Sequence, residues 1–115
     1  MASTYEMGLQ SFYIQKIKDR KKVIEMRVND DKRKRIRPGD YILFHATEDP
    51  NKTLEVEVVS VKGFPTFKEL YDFYPKYVLG YGKNDEASYL DMYSIYTHER
   101  IEENGVLAIG VRVLE

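Results

Sequence analysis

The sequence contains no cysteine. This absence excludes disulfide bonds, a thiolate zinc site and a thiol nucleophile. The two histidines, His45 and His98, are too few for a metal site built from histidines alone, so we expect no metal and no other cofactor. No stretch approaches the roughly 18 apolar residues of a transmembrane helix, and residues 1–6 lack the basic and apolar regions of a secretory signal. We therefore expect a cytoplasmic protein that does not span a membrane.

The composition is typical of a folded protein. Hydrophobic residues make up 43% of the 115 positions and charged residues 32%, as in ordinary globular domains. Ten tyrosines and five phenylalanines supply far more aromatic surface than a disordered segment carries. No repeat, low-complexity tract or linker interrupts the chain, so we predict a single domain over residues 1–115.

Positive charge is concentrated in the first half of the chain. Between Lys16 and Arg37 there are eleven basic and four acidic residues, although the whole chain has a net charge of −1. The densest part of this stretch comprises Lys32, Arg33, Lys34, Arg35 and Arg37. Such a run can follow a phosphate backbone, or it can be a solvated connection that keeps the protein soluble. The charge pattern leaves both interpretations open.

Hydrophobic spacing predicts the first elements of the chain. Apolar residues recur every four positions over about 10–20, which predicts an amphipathic helix. Residues 23–28 alternate between apolar and charged side chains, which predicts a half-buried strand with Glu25 and Arg27 on one face, about 7 Å apart. A short strand at 7–9 also fits the pattern.

The middle of the chain has the pattern of a β-hairpin. A Pro-Gly-Asp turn at 38–40 precedes a short apolar strand over 41–44. A second turn spans 48–52, and a longer strand over 54–61 alternates between valines and glutamates. We predict that the two strands pair in the antiparallel direction.

The C-terminal half has a clear helix start signal. Thr66 followed three residues later by Glu69 forms a capping box, which predicts a helix over 66–74 that ends before Pro75.

Three segments follow this helix. They are a glycine-containing link over 80–86, a helix over 87–97 whose end is marked by His98, and a final strand over 106–114 after an Asn-Gly turn. His98 would favour the negative C-terminal end of that helix.

The order of these elements predicts an α+β fold. Strands joined mainly by short turns favour a curled, mostly antiparallel sheet, forming a small β-barrel with helices covering its ends. A doubly wound parallel sheet would need strands that alternate regularly with helices, and this order lacks that alternation.

The charged strand is the first of four distinctive blocks, because Lys22, Glu25 and Arg27 have the spacing K-x-x-E-x-R. The other blocks are residues 36–44, residues 64–70, and residues 89–96 followed by 105–109. In this order the blocks resemble an ASCH domain, a member of the PUA-like barrel superfamily, over nearly the whole chain. The family signature is G-x-K-x-x-E-x-R, and Arg20 stands where the family usually has glycine.

The resemblance implies an RNA- or nucleotide-binding domain with a PUA-like barrel. Its ligand cleft would be lined by Lys22, Glu25 and Arg27. Asp85 or Glu86 would face these residues from the downstream loop. Lysine and arginine would bind phosphate or a carbonyl oxygen, and a carboxylate would accept a hydrogen bond from a base.

Two further features would extend this contact. The basic run at 32–37 would bind phosphates beyond the cleft. Tyr81, in the glycine-flanked loop, would stack on a base, as aromatic side chains do in single-strand binding sites.

A small hydrolase is the alternative function. One bacterial branch of the family hydrolyses the amide of acetylated cytidine and has threonine at the position of Glu25. A carboxylate cannot supply the same hydroxyl nucleophile. In a hydrolase of a modified nucleoside or of single-stranded RNA, Lys22 would therefore polarise the scissile group. Glu25, Asp85 or Glu86 would activate water.

Each of these residues also has a purely structural interpretation. The charged side chains of the strand would then form a surface ion-pair cluster of little energetic value. Most tyrosines would pack helices onto the barrel and direct their hydroxyl groups to water. A third function, a protein-interaction domain that no longer uses its cleft, also agrees with the sequence.

Overall fold

The computed structural model describes residues 2–114 and contains five strands and three α-helices in that range. The elements are β1 (Thr4–Leu9), α1 (Ser11–Lys18), β2 (Ile24–Val28), β3 (Tyr41–Ala46), β4 (Asp49–Phe64), α2 (Phe67–Phe73), α3 (His98–Asn104) and β5 (Val106–Val113). Two 3₁₀ helices, Lys76–Leu79 and Tyr89–Ser94, lie between α2 and α3. No helix in this range is both long enough and apolar enough to cross a membrane.

The strands form one sheet in the order β1-β3-β4-β5-β2. Three neighbouring pairs of the described strands are antiparallel, and the pair β1–β3 is parallel. The predicted hairpin is confirmed, since Ile42 of β3 pairs with Val56 of β4. The prediction of an α+β fold with a curled, mostly antiparallel sheet is confirmed.

The sheet curls into a half-barrel that brings its two edge strands together. β1 and β2 stand at opposite ends of the strand order. The Nη2 atom of Arg27 on β2 nevertheless donates a 2.9 Å hydrogen bond to the carbonyl oxygen of Gly8 on β1. A side chain therefore joins the two edges.

Two apolar cores pack against the sheet. In the first, Ile14 and Ile17 of α1 pack against sheet residues such as Phe44 and Val58. In the second, α2, α3 and the 3₁₀ helices cover β2 and β5, with Val28 and Phe67 almost fully buried. The helices thus cover the sheet as predicted, and the alternation of apolar residues determines which strand faces they cover.

The structure tests two predicted element boundaries, the start of α2 and the turn of the β3–β4 hairpin. Thr66 caps α2 as predicted, because its side chain accepts a hydrogen bond from the backbone N–H of Lys68 and bonds to Glu69. The second turn comprises residues 47–48 rather than the predicted 48–52, because β4 already begins at Asp49. The pairing register shifts beside Ala46, and such a bulge accommodates Pro50, which has no backbone N–H.

The predicted helix over 87–97 is also wrong. The chain forms the 3₁₀ helix Tyr89–Ser94 and then starts a new helix, α3. The side chain of Thr97 accepts a hydrogen bond from the backbone N–H of Arg100, so Thr97 is an N-cap that begins α3. His98 therefore occupies the first position of a helix rather than the end of one, and its ring stacks on Tyr93.

Candidate functional site

Lys22 and the charged side chains of β2 form a chain of ion pairs. The Oε1 atom of Glu25 lies 3.4 Å from the Nζ atom of Lys22. Its Oε2 atom accepts two hydrogen bonds from Arg27, at 2.6 Å from Nη2 and 3.1 Å from Nε. Lys22 and Glu25 are only 3% and 4% exposed. The structure therefore brings the three signature residues together and encloses the first two.

Lys22 is surrounded by acceptors. Its Nζ atom donates to the carbonyl oxygens of Ile24 at 2.8 Å and Leu79 at 3.0 Å, and it also faces Glu25. The three N–H groups of an ammonium thus have three acceptors. Burial lowers the pKa of Lys22, and the attraction of Glu25 only partly offsets this effect.

Glu25 and Arg27 keep opposite charges. Burial by itself would raise the pKa of Glu25, but the positive charges of Arg27 and then Lys22 hold it below its usual value. Burial by itself would lower the pKa of Arg27, but the carboxylate of Glu25 raises it overall. The pair is therefore ionised, as partnered buried charges are.

A basic groove lies beside the N-terminal end of β2. Its volume is about 440 Å³. One wall comes from the end of α1 and the residues that follow it, and the other comes from the segment 77–83. The lining residues are Lys16, Arg20, Lys21, Val23, Tyr77, Val78, Tyr81, Gly82 and Lys83. Four cationic and two tyrosine side chains thus border one open space.

Lys22 lies behind the second wall of this groove. Its Cδ atom is so close to Gly80 that a Cβ atom there would lie 3.1 Å away. Lys16 donates a 2.8 Å hydrogen bond to the carbonyl oxygen of Gly80, and the N–H of Val23 donates to the carbonyl oxygen of Val78. Contacts from residues 16–23 therefore hold the backbone of 78–80 in place.

Tyr81 lines the groove, and its hydroxyl group is already engaged. It donates to the Oδ2 atom of Asp91 at 2.8 Å and lies 2.8 Å from the hydroxyl group of Tyr71. Burial and these two hydrogen bonds raise the pKa of Tyr81 well above its usual value. The hydroxyl group of Tyr81 is therefore engaged within the protein, and the residue borders the groove.

The two downstream carboxylates do not join the signature residues. The Oδ2 atom of Asp85 accepts a 2.7 Å hydrogen bond from the N–H of Gly82, which closes the turn of this loop. Glu86 is exposed. Within residues 2–114, neither carboxylate forms a hydrogen bond or ion pair with Lys22. The same range contains no group of three or more acidic or histidine side chains placed to hold a metal.

The basic run lies at the other end of β2. The run begins after the last residue of β2, whereas the groove is lined by Val23, which stands directly before the first residue of β2. The five residues of this strand span about 13 Å. Within the run, Arg33 pairs with Asp30 at 2.6 Å and Lys34 pairs with Asp31 at 3.1 Å. Lys32, Arg35 and Arg37 are exposed. The run and the groove are separate positive surfaces.

Sequence reasoning missed part of the groove. Lys16, Lys21, Tyr77 and Lys83 line it, but none of them was a predicted site residue. Lys16 and Lys21 lie within the basic stretch from Lys16 to Arg37, so the count of charges indicated the stretch as a whole and neither residue by itself. No local signal indicates Tyr77 or Lys83, because their positions depend on a contact between distant segments.

Comparisons with known proteins agree with the fold. Residues 7–115 match the model of the ASCH domain. The chain is 32% identical to the hypothetical protein PH0355, whose crystal structure superposes with a TM-score of 0.81 and coverage of 96% of this chain and 99% of that one. It is 33% identical to protein PF0455 from Pyrococcus furiosus, a solution NMR structure with a TM-score of 0.70 and coverage of 97% and 98%.

More distant similarity extends to ZmASCH from Zymomonas mobilis. A mutant of that protein is 14% identical, with a TM-score of 0.64 and coverage of 95% of this chain and 68% of that one, which shows a common fold. No curated protein sequence matches this chain significantly. The match of the family model over almost the whole chain, together with the ion-paired signature residues Lys22, Glu25 and Arg27, shows that the chain belongs to the ASCH domain family.

Proposed function

We propose that this ASCH domain binds RNA or a nucleotide in the basic groove between α1 and the segment 77–83. The observation that carries the proposal is the combination of four cationic side chains and two tyrosines around one space of about 440 Å³. Cationic grooves with aromatic side chains are typical of single-strand binding sites, because phosphates follow the charge and bases stack on the rings.

The two walls of the groove contribute complementary contacts. Lys21 on one wall and Lys83 on the other are exposed and would bind phosphate oxygens. Tyr77 is 55% exposed, with the Nζ atom of Lys76 5.6 Å from its ring centroid, and its ring would stack on a base. Tyr81 would supply a second ring, held in orientation by its hydrogen bond to Asp91.

The signature residues support the groove in this proposal. Lys22 binds the carbonyl oxygen of Leu79 and packs against Gly80, so it fixes the backbone that carries Tyr81. Glu25 compensates the charge of Lys22, and Arg27 orients Glu25. We therefore assign Lys22, Glu25 and Arg27 as positioning residues.

The basic run at 32–37 is a separate contact in the same proposal. Its exposed side chains would bind the phosphates of a longer RNA whose other end lies in the groove. Because the run and the groove lie at opposite ends of β2, charge removal at each surface can be tested independently.

A salt-titrated binding assay tests the proposal. Short single-stranded and hairpin RNAs with a fluorescent label are titrated with the wild-type protein, a Lys21→Gln, Lys83→Gln double variant and a Lys32→Gln, Lys34→Gln double variant. For a single strand, each lost phosphate contact lowers the salt slope by about 0.7. The groove variant should lose affinity for all single-stranded RNAs, and the run variant only for longer ones.

Two results would overturn this assignment. The first is wild-type binding that is absent or independent of salt. The second is a groove variant that binds like the wild type while the run variant loses affinity, since the run would then be the main contact surface.

Hydrolysis of a modified nucleoside is the second candidate. The observation that favours it is the lowered pKa of Lys22 beside the carboxylate of Glu25, because perturbed buried groups cluster at catalytic sites. Incubation with acetylated cytidine, using a Lys22→Met variant as control, tests it. Turnover that disappears in the variant supports a hydrolase, whereas absent turnover, or turnover that the variant retains, removes Lys22 as its catalytic residue.

A further inference from the structure

A carboxylate just after β2 binds two arginines from distant parts of the chain. The Oδ2 atom of Asp30 accepts hydrogen bonds from Nη1 of Arg33 at 2.6 Å and from Nη2 of Arg100 at 3.0 Å. Its Oδ1 atom accepts a 3.1 Å hydrogen bond from the backbone N–H of Arg33, so the turn that Asp30 begins also fixes its side chain. Arg100 lies on α3, 70 residues further along the chain. Asp30 therefore connects the basic run at 32–37 to α3.

Arg33 is the enclosed member of this pair of arginines. Its side chain is only 15% exposed, and its Nε atom is buried. Little of its guanidinium group is therefore open to a ligand. Its backbone and its side chain both bind Asp30, and these two contacts hold the carboxylate in place for the second arginine.

Arg100 is the open member of the pair. Its side chain is 48% exposed, and its guanidinium carbon lies 5.8 Å from the ring centroid of Tyr96, which is itself almost buried. This cation–π contact and the hydrogen bond to Asp30 fix the orientation of the guanidinium group. A side chain that is already fixed loses less conformational entropy on binding than a free surface side chain does.

The choice of ion-pair partner leaves positive charge at this position. Glu103 lies three residues after Arg100 on α3, a spacing at which opposite charges commonly pair along a helix. Within the part of the chain that the structure describes, however, Asp30 is the one carboxylate that pairs with Arg100. Two guanidinium groups share this carboxylate, so one positive charge stays uncompensated. The turn that Asp30 begins also carries the exposed Lys32, and the charges together form one positive surface.

We propose that Arg100 binds a backbone phosphate of a single-stranded RNA that extends from the groove to the basic run, and that Asp30 is its positioning residue. This inference rests on the function proposed above. A planar guanidinium group fits two phosphate oxygens at once, which the ammonium groups of the lysines in the run cannot match. The RNA-binding surface at this end of β2 therefore includes α3 as well as residues 32–37.

Removal of the charge of Arg100 tests the binding role. Labelled oligouridylates of about 4 and about 16 nucleotides, the range that one small barrel domain covers, are titrated with protein at several salt concentrations. Arg100→Gln should bind the shorter RNA like the wild type and the longer RNA about tenfold more weakly, the value of one charge-assisted contact. Its salt slope for the longer RNA should be smaller by about 0.7. Arg112→Gln removes an exposed arginine that pairs with Glu57, and as the matched control it should bind both RNAs like the wild type.

Two neighbouring carboxylates separate positioning from charge. Asp31 is exposed and pairs with Lys34, so Asp31→Asn removes negative charge from the run and should strengthen binding of the longer RNA. Asp30→Asn changes the charge equally and keeps an oxygen for the N–H of Arg33, but it loses the carboxylate oxygen that binds Arg100. Asp30→Asn should therefore weaken binding. This loss should disappear when Asp30→Asn is combined with Arg100→Gln, because Asp30 acts through Arg100.

Different failures separate this inference from the proposed function. If the wild type binds the longer RNA and Arg100→Gln binds it equally well, or Arg112→Gln loses as much affinity as Arg100→Gln, only the role of Arg100 is overturned. Stronger binding by Asp30→Asn, or a loss that persists in the double variant, overturns the positioning role of Asp30. If the wild type binds neither RNA, the proposed function and this inference both fall.

Discussion

The guanidinium of Arg27 links two strands that have no backbone pairing with each other. Its Nη2 atom bonds to Gly8 on β1 and to Glu25 on its own strand β2. β1 and β2 are the two edges of the sheet, so this side chain closes the half-barrel. The carboxylate that fixes Arg27 also compensates the charge of Lys22, and the closure of the sheet is therefore coupled to the support of the groove.

Replacing Arg27 with methionine should strongly destabilise the protein. The change leaves Glu25 as a buried carboxylate with only Lys22 for compensation and removes the contact to Gly8. Breaking a buried pair by removing one partner costs about 3–5 kcal/mol. Urea unfolding of the variant should show this loss.

The matched control is Arg112→Met. Arg112 pairs with Glu57, but its side chain is 67% exposed, so the loss should stay below about 1 kcal/mol. Equal losses in the two variants would contradict the closure role of Arg27.

Replacing Lys22 with methionine should loosen the wall of the groove. The carbonyl oxygens of Ile24 and Leu79 would lose the donor that they share, and an unsatisfied buried group costs about 1–3 kcal/mol. Hydrogen exchange of the amides at 78–81 should become faster, and the unfolding free energy should fall. Lys18→Met, on the exposed side of α1, is the control. Unchanged exchange at 78–81 would show that Lys22 does not support the wall.

Glu25 should make the protein sensitive to acid. Its pKa in the folded state lies below the ordinary value of 4.5, because Arg27 and Lys22 outweigh the effect of burial. The folded state therefore releases this proton more readily than the unfolded state. Its stabilising contribution is complete above pH 4.5 and is lost as the pH falls through the folded pKa.

Unfolding measured from neutral to acidic pH checks this assignment. Glu25→Gln should be less stable than the wild type at neutral pH, and its stability should change less below pH 4.5. Glu103→Gln, at an exposed position of α3, is the control for the removal of one carboxylate. A Glu25→Gln profile parallel to that of the wild type would assign the acid sensitivity to other groups.

Alanine at Gly105 should cost more than alanine at Gly39. Both glycines have a positive φ, of 70° and 95°, and an alanine in this region costs about 1–2 kcal/mol. At Gly105 the new Cβ would also lie 3.0 Å from the carbonyl oxygen of Phe64, whereas at Gly39 it meets no atom within 4 Å. Thermal unfolding of the two variants checks this order. A larger loss at Gly39 would contradict it.

Secondary-structure elements were predictable where a few neighbouring residues specify them. The capping box of Thr66 and the strand β2 are specified within a few residues, and both elements are confirmed, although β2 carries no exposed residue and is therefore not the half-buried strand that was predicted. The helix over 87–97 was wrong because apolar spacing continues through the break at Ile95 and Tyr96, while the N-cap at Thr97 starts a new helix. Helical periodicity does not distinguish one helix from two short ones that bury the same side.

The surroundings of the charged strand face were less predictable. Alternation placed Glu25 and Arg27 on one face, and the hydrogen bonds between them confirm it. An exposed ion-pair cluster and an enclosed one have the same sequence pattern, however. The choice depends on Leu79, which is 57 residues from Lys22 along the chain and accepts its hydrogen bond.

The sequence by itself determined the family, the strand that carries the signature residues and the concentration of positive charge before residue 38. Only the tertiary structure decided that Lys22 and Glu25 are enclosed, that Arg27 closes the half-barrel and that residues 16–21 meet 77–83 around a groove. The physical reason is that side-chain periodicity records which face of an element is apolar. It does not record which distant segment will cover that face.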